Sequence, residues 1–211
     1  MLFEILIAVG LVCATLGLFW TLSWASAMKA GHQLERLGKR YQLELTQPAP
    51  KWLGFLRQEP YLYGQYRGRE VSISVPGHGR QNTRQIESVL KIELRDRRLS
   101  AQFMPRGFMT GVHQRLNKGW RDWQTGDAAF DQAIASSSDA GQLLEPLMTA
   151  QRRDWVRELM KEGKGTLYIG GGTLAYAEMG LISEVTRRKR FERALEFLCD
   201  LAEVVESDKS E

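Results

Sequence analysis

Between Glu4 and Lys29 the chain runs for 24 residues without a charged side chain. As an α-helix rising ~1.5 Å per residue, that stretch is about 36 Å long, enough to cross a hydrocarbon layer of about 30 Å. It is rich in Leu, Ile, Val, Phe and Ala, and Trp20 and Trp24 lie near its far end, where indoles favour the headgroup layer. A buried helix of a soluble protein seldom runs this far without a charge. A cleaved signal peptide is the sharper rival, because Ala25-Ser26-Ala27 looks like a small-residue cleavage site. Met1-Leu2-Phe3-Glu4, however, carries an acid and no cation, and the apolar run exceeds a usual signal core. The expectation is a retained transmembrane anchor over residues 1–28. Gly10-Leu11-Val12 before Cys13 has the wrong order of small and branched residues for a lipoprotein site, so Cys13 reads as a packing thiol.

Flanking cations set the orientation. None precedes the span, while Lys29, Arg36, Lys39 and Arg40 follow it. The positive-inside rule then places the amino terminus outside and residues 29–211 in the cytoplasm, at the cell's inner (plasma) membrane. The same cations can meet anionic headgroups. Leu34, Leu37 and Tyr41 recur at helical spacing, so residues 29–50 read as a juxtamembrane helix or linker, with at most a short coiled-coil stripe. Gln47-Pro48-Ala49-Pro50 stops it, since proline lacks a donor and disfavours helix before itself.

A soluble domain is expected over 51–206, with a polar tail at 207–211. Val71-Ser72-Ile73-Ser74-Val75 alternates with period two, so strands are predicted at 61–66 and 69–75. A third covers 87–95, with Leu90, Ile92 and Leu94 on one face, and a fourth lies near 99–104. Residues 105–125 read as irregular, and a strand at 128–136 would place Phe130 and Ile134 on one face. A helix at 143–161 carries Leu144, Leu147, Met148, Trp155, Val156, Leu159 and Met160 in one broad stripe, with Pro146 in its first turn. Gly170-Gly171-Gly172 between two apolar runs signals a hairpin, because glycine supplies the positive φ of a tight turn. A last helix, capped by Ser183, runs to about 206 with Phe191, Leu195, Leu198, Cys199, Ala202 and Val205 inward. The predicted order after the anchor is ββββ–β–α–ββ–α. That is an α+β fold, a mainly antiparallel sheet packed with two long helices.

Composition divides along the same lines. The chain is 43% hydrophobic and 26% charged with two cysteines, which excludes a disordered polyampholyte and a disulfide scaffold. The net charge of +4 is uneven: residues 29–125 hold 18 Lys/Arg against 8 Asp/Glu, and residues 126–211 hold 11 against 16. The reading is a basic membrane-proximal half and an acidic distal half.

Chemistry-bearing patterns are few. His32, His78 and His113 do not lie at ligand spacing with Cys13 or Cys199, so no metal or cofactor site is expected. No Gly-x-Ser-x-Gly elbow occurs, and Ser136-Ser137-Ser138-Asp139 suits a capping role. Asp127 and Asp131, with Glu178 and Glu184, are the acids a hydrolase would need, though nothing in the sequence brings them together. Gly77-His78-Gly79-Arg80 could nest an anion but lacks a strand-to-helix context. The densest signal is basic and aromatic: Phe103, Arg106, Phe108, His113, Arg115, Lys118, Trp120, Arg121 and Trp123. Cations between rings can bind single strands, anionic lipid or a protein. On a tethered domain, lipid and membrane-protein partners come before nucleic acid.

One pattern has a wider likeness. Thr125-Gly126-Asp127-x-x-Phe130-Asp131, a strand ending in Ser137-Ser138-Asp139, and Gly64-x-Tyr66-Arg67-Gly68-Arg69 resemble uncharacterised bacterial membrane-anchored proteins with a soluble α+β domain. So do the helix at 143–159, the strand pair around Gly170-Gly171-Gly172 and the final helix with Leu201-Ala202. The resemblance spans about residues 60–205. It implies a compact domain behind a membrane segment and no catalytic set to carry over. The functional expectation is therefore a bitopic membrane protein whose cytoplasmic domain is an interaction or accessory subunit of a membrane complex, or a homo-oligomer. The alternatives are a tethered binding module for an anionic ligand or lipid headgroup, using Arg80 or the cations at 106–121, and a hydrolase using the acids near 127–139.

Overall fold

No proline interrupts the first 47 residues, and in the computed structural model of the chain Leu2–Tyr41 is one unbroken helix, α1, of 40 residues. At ~1.5 Å per residue it is about 60 Å long. The described residues are 2–47, 60–75, 87–107, 119–163 and 165–207. Within residues 2–28 only part of the side chains is described, and those of Trp20 and Trp24 are not. Among the described residues no helix is long and apolar enough to cross a membrane.

The end of α1 is a local motif. Gln42 takes a left-handed φ of 57°, and the Leu43 N–H donates to the Gly38 carbonyl at 2.9 Å. This is the six-to-one bond of a Schellman ending, with Gln42 where glycine is usual. The chain then turns back as β1, Glu44–Thr46. Gly38 permits the close return: a Cβ there would lie 2.9 Å from both the Leu43 oxygen and a Leu62 methyl. Residues 29–50, expected as a juxtamembrane helix or linker, are helical to Tyr41. Their apolar stripe of Ala30, Leu34, Leu37 and Tyr41 is buried, and the last three belong to the domain's own core. The stripe packs within this chain, not as a coiled-coil seam.

Nine strands among the described residues form one antiparallel sheet in the order β1-β2-β3-β4-β9-β8-β5-β7-β6. Beyond β1 they are β2 (Tyr61–Tyr66), β3 (Arg69–Ser74), β4 (Glu87–Glu93), β5 (Ala101–Pro105), β6 (Arg121–Trp123), β7 (Ile134–Ser138), β8 (Thr166–Gly170) and β9 (Thr173–Met179). Period-two alternation fixes which face is inward. Leu62, Ile73, Leu90 and Tyr176 form one cross-strand row, and Val71, Ile92 and Leu174 the next. All seven are at most 1% exposed. The β8–β9 hairpin turns at Gly171 and Gly172, whose φ values are 60° and 79°.

Two expected elements need correction. Residues 128–136 are not one strand. Ala128–Ala133 is a short helix, α2, and β7 begins at Ile134. The Asp127 carboxylate accepts from the backbone N–H groups of Ala129 and Phe130 at 3.1 and 3.2 Å, and this cap commits the segment to a helical turn. Phe130 and Ile134, four residues apart, satisfy either periodicity. The helix expected at 143–161 is two: α3 (Gly141–Leu147) and α4 (Ala150–Gly163). Pro146 falls in the last turn of α3, not the first turn of a longer helix. Arginines of α4 take up carbonyls left at the break: Arg152 donates to Leu147 O at 2.7 Å and Arg153 to Met148 O at 2.9 Å. The last helix, α5, is Val185–Ser207 and starts two residues after the expected Ser183 cap. Strand β1 and the three-residue β6 were not expected.

The helices bury the inward face. Phe191, Ala194, Leu195, Leu198 and Ala202 of α5 are fully buried, and α5 lies against β4 and β9. Helix α1 meets β1, β2 and α5, while α4 meets β5 and α5. Each fully buried Leu or Phe contributes about 1.5–3 kcal/mol.

Candidate interaction surface

Strand alternation decides the fate of the expected basic–aromatic group. In β6, Trp123 pairs with Ser136, which pairs with Phe103, and these point to the helical side. Trp123 meets the buried Phe103 ring edge-on, with centroids 6.3 Å apart. It also covers Gly141, where a Cβ would lie 2.8 Å from its ring. Trp120, three residues earlier, falls on the opposite face and stacks on Tyr168, with centroids 5.9 Å apart and planes at 14°. Arg121 is exposed on the edge strand. Arg106 is exposed too, and its Nε donates to the Asp131 carbonyl at 3.0 Å, tying the end of β5 to α2. Arg80, Phe108, His113, Arg115 and Lys118 lie outside the described residues. The structure thus joins Trp120 to Tyr168 and sends Phe103 and Trp123 into the core.

The open sheet face supplies partners that the sequence reading missed. One row runs Tyr63–Ser72–Lys91–Ala175–Tyr168–Gln102–Ser137–Asp122 across eight strands. Tyr61, Tyr63 and Tyr168 are 39%, 47% and 38% exposed. The Glu70 carboxylate beside Tyr63 holds that phenol above its ordinary pKa. The signal was available as aromatic residues at the polar positions of β2 and β8.

On the helical side, ion pairs organise α5. Arg67 reaches Asp200 at 2.6 Å and Glu196 at 2.8 Å, and Arg69 donates both terminal nitrogens to the two Glu206 oxygens at 2.8 Å. Arg40 reaches Glu192 at 2.8 Å, and Arg188 bonds the same carboxylate. Glu178, 2% exposed, accepts from Arg187 at 2.7 Å, Arg190 at 2.5 Å and the Tyr176 hydroxyl at 3.2 Å. Burial, with this carboxylate beside it, pushes the Tyr176 phenol up. The two halves of opposite charge are therefore not separated in space: basic residues 40, 67 and 69 close on acids of α5. This corrects the reading of a basic proximal and an acidic distal region. Of the cations flanking the apolar run, Lys39 pairs with Glu35 at 2.7 Å and Arg40 with Glu192, while Lys29 and Arg36 are exposed.

The acids considered for hydrolysis hold backbone. Asp127 caps α2 and pairs with Arg153 at 3.2 Å, and its pKa is lowered first by the Phe130 N–H. Asp131 accepts from Thr125 N, Thr125 Oγ1 and Gly126 N at 3.0, 2.9 and 3.1 Å. Glu178 sits in the arginine cluster, and Glu184 lies at the start of α5. Among the described residues no group of three or more His, Cys, Asp or Glu could hold a metal ion.

Helices α1 and α5 run in the same direction. Arg188 donates to Gln33 Oε1 at 3.0 Å, and Arg40 reaches Glu192. Tyr66, which meets Tyr41 edge-on at 5.0 Å, donates to Glu196 at 3.0 Å. At the other end, Ala30, Leu34, Pro60, Val75, Ser88 and Ile182 line one small pocket. The start of β2, the end of β3, the start of β4 and the β9–α5 connection therefore meet α1 at Ala30–Leu34, close behind its apolar run. The described ends of the connection holding Arg80, Val75 and Glu87, lie here.

No protein-family model matches the sequence, and no curated protein matches it closely. Its fold is similar to the crystal structure of the mycobacterial trehalose monomycolate transport factor A. The TM-score is 0.57 at 10% identity, over 82% of this chain and 93% of that one. At that identity the likeness establishes a common fold: a large antiparallel sheet with helices.

Proposed function

We propose that this chain is a bitopic membrane protein and that its domain is an accessory subunit of a membrane complex. Residues 5–28 cross the bilayer, the amino terminus lies outside, and residues 29–211 are cytoplasmic. The domain belongs with membrane-anchored α+β proteins of the kind its sequence resembles. The observation that carries this reading is the continuity of α1. The same helix bears the 24-residue charge-free run and then, from Ala30, supplies the core of the domain. Cations follow the run and none precedes it.

The accessory role is supported by two further features. The open sheet face presents Tyr61, Tyr63 and the Trp120–Tyr168 stack, and aromatic side chains of this kind anchor protein interfaces. The structural neighbour is a transport factor by name, a role that suits a protein acting beside a membrane machine. The test is purification of the full chain from native membranes in mild detergent after brief crosslinking. A membrane protein is expected to co-purify, and the Tyr63→Ala, Tyr168→Ala double variant is expected to lower its yield at least fivefold. Recovery only as a lone monomer, crosslinked or not, would refute the accessory role. A phosphatase reporter after Glu211 that proves active outside the cytoplasm would overturn the orientation.

A further inference from the structure

The apolar run ends at Met28, and Ala30 is already 2% exposed in the domain. No spacer separates them: two residues of helix are about 3 Å. The headgroup layer on each side of a bilayer is about 5–8 Å deep, so residues 29–33 would lie within it. The elements that pack at Ala30–Leu34 would then meet it as well.

We propose that this end of the domain is a bilayer-docking surface, seated on anionic lipid headgroups through Lys29 of α1 and Lys189 in the first turns of α5. The proposal rests on the membrane-spanning reading of α1. Because α5 runs parallel to α1, with Arg188 on Gln33, its first turns face the bilayer. Lys29 and Lys189 are exposed and have no acidic partner among the described residues. Their neighbours are committed elsewhere: Arg187 and Arg190 to Glu178, and Arg188 to Glu192. The run Arg187-Arg188-Lys189-Arg190 thus spends three cations inside the fold and leaves Lys189 exposed, at the rim of a surface pocket that it lines with Thr186, Glu162 and Glu192. Val185, 45% exposed, and Tyr61, 39% exposed at the start of β2, add the apolar and amphipathic groups that the interface accepts. Glu184 precedes the helix and stands about 140° around its axis from Lys189, so it does not neutralise that lysine directly.

The test uses the full chain in lipid nanodiscs, either 30% anionic or wholly zwitterionic, with headgroup spin-labelled lipid as quencher. Single fluorophores are placed by V185C, or by R97C four residues beyond the far end of β4 and about 20 Å away, in a C13S background. Cys199 stays silent, because burial pushes its thiol up to about 11. Quenching at residue 185 is expected to exceed that at residue 97 at least fivefold in anionic discs. It is expected to fall at least threefold in K29E/K189E, and likewise in zwitterionic discs. A separate label on Cys13, read with acyl-chain spin labels, reports the anchor alone. Quenching at residue 13 with equal, weak quenching at 185 and 97 overturns the docking surface and leaves the anchor standing. Strong quenching at 185 that ignores both lipid charge and K29E/K189E overturns the lysine contact. No quenching at residue 13 overturns the anchor and the docking surface together.

Discussion

Arg69 and Glu206 join β3 to the last turns of α5 with two hydrogen bonds of 2.8 Å, and the Arg95 N–H adds a third at 2.7 Å. Their side chains are 10% and 15% exposed. The Arg69 guanidinium, with the Arg95 N–H, holds the Glu206 carboxyl below its ordinary range. A carboxyl depressed on folding contributes stability that is complete above its unfolded pKa of about 4.5 and is lost as pH falls through the folded value. Glu206→Gln is therefore expected to cost about 2–3 kcal/mol at pH 7, the scale of hydrogen bonds to a charged group. The difference from the native chain should shrink as pH drops from 5 toward 3. Denaturant titrations of both chains at each pH provide the check, and a gap that stays constant would remove the ionic account. Glu178 is the harsher case, because replacing it strands Arg187 and Arg190 with no counter-charge.

Leu37 is 0% exposed on α1, within the segment that reads from sequence as a linker. Leu37→Ala in a core position costs about 2–5 kcal/mol, whereas on a solvated linker it costs almost nothing. Thermal unfolding of the full chain in detergent is expected to show a Tm lower by at least 5 °C, and an unchanged Tm would return residues 29–41 to the linker role. Why was this element hard to place? Leu34, Leu37 and Tyr41 show the buried stripe plainly, but a stripe does not name what covers it. The cover comes from β1, β2 and α5, and β1 is only three residues long. Strands β2, β3 and β4, the glycine hairpin and α5 were legible because each is long enough to show its own period. Helix α2 was not, since Phe130 and Ile134 fit both periods and the Asp127 cap decides between them. In the site, Trp120 and Trp123 were legible as a pair, but only the sheet register sends them to opposite faces. Arg187, Arg188 and Arg190 went unread although Glu178 and Glu192 lie within twelve residues of them, because only the fold turns these side chains onto the acids; Gln33 alone is far away along the chain.

At the scale of the molecule, two halves of opposite formal charge interlock. Their neutralisation is a fold-specific device: arginines of α1, the β2–β3 turn and β3 meet acids of α5. Among the described residues, the cations left without an acid near the apolar run are few, Lys29, Arg36 and Lys189, which is why Lys29 and Lys189 carry weight beyond their number.

The uninterrupted backbone of α1 makes the helix a shaft, and a shaft transmits angle. With no break in the helix between Met28 and Ala30, every turn of the apolar segment about its axis is a turn of the whole sheet, so if that segment spans a bilayer as proposed, the azimuth of the Tyr61–Tyr63–Tyr168 face is set there. One extra alanine after Met28 would rotate the domain by about 100° and lift it ~1.5 Å, whereas seven would restore its heading within about 20° and raise it ~10 Å. If the face must look toward a neighbour in the membrane plane, crosslinking to that neighbour should fall with one inserted residue and recover in part with seven. Equal crosslinking at every insertion length would mean that the heading carries no information. Recovery at seven residues would mean that the direction of the proposed partner is written in helical phase.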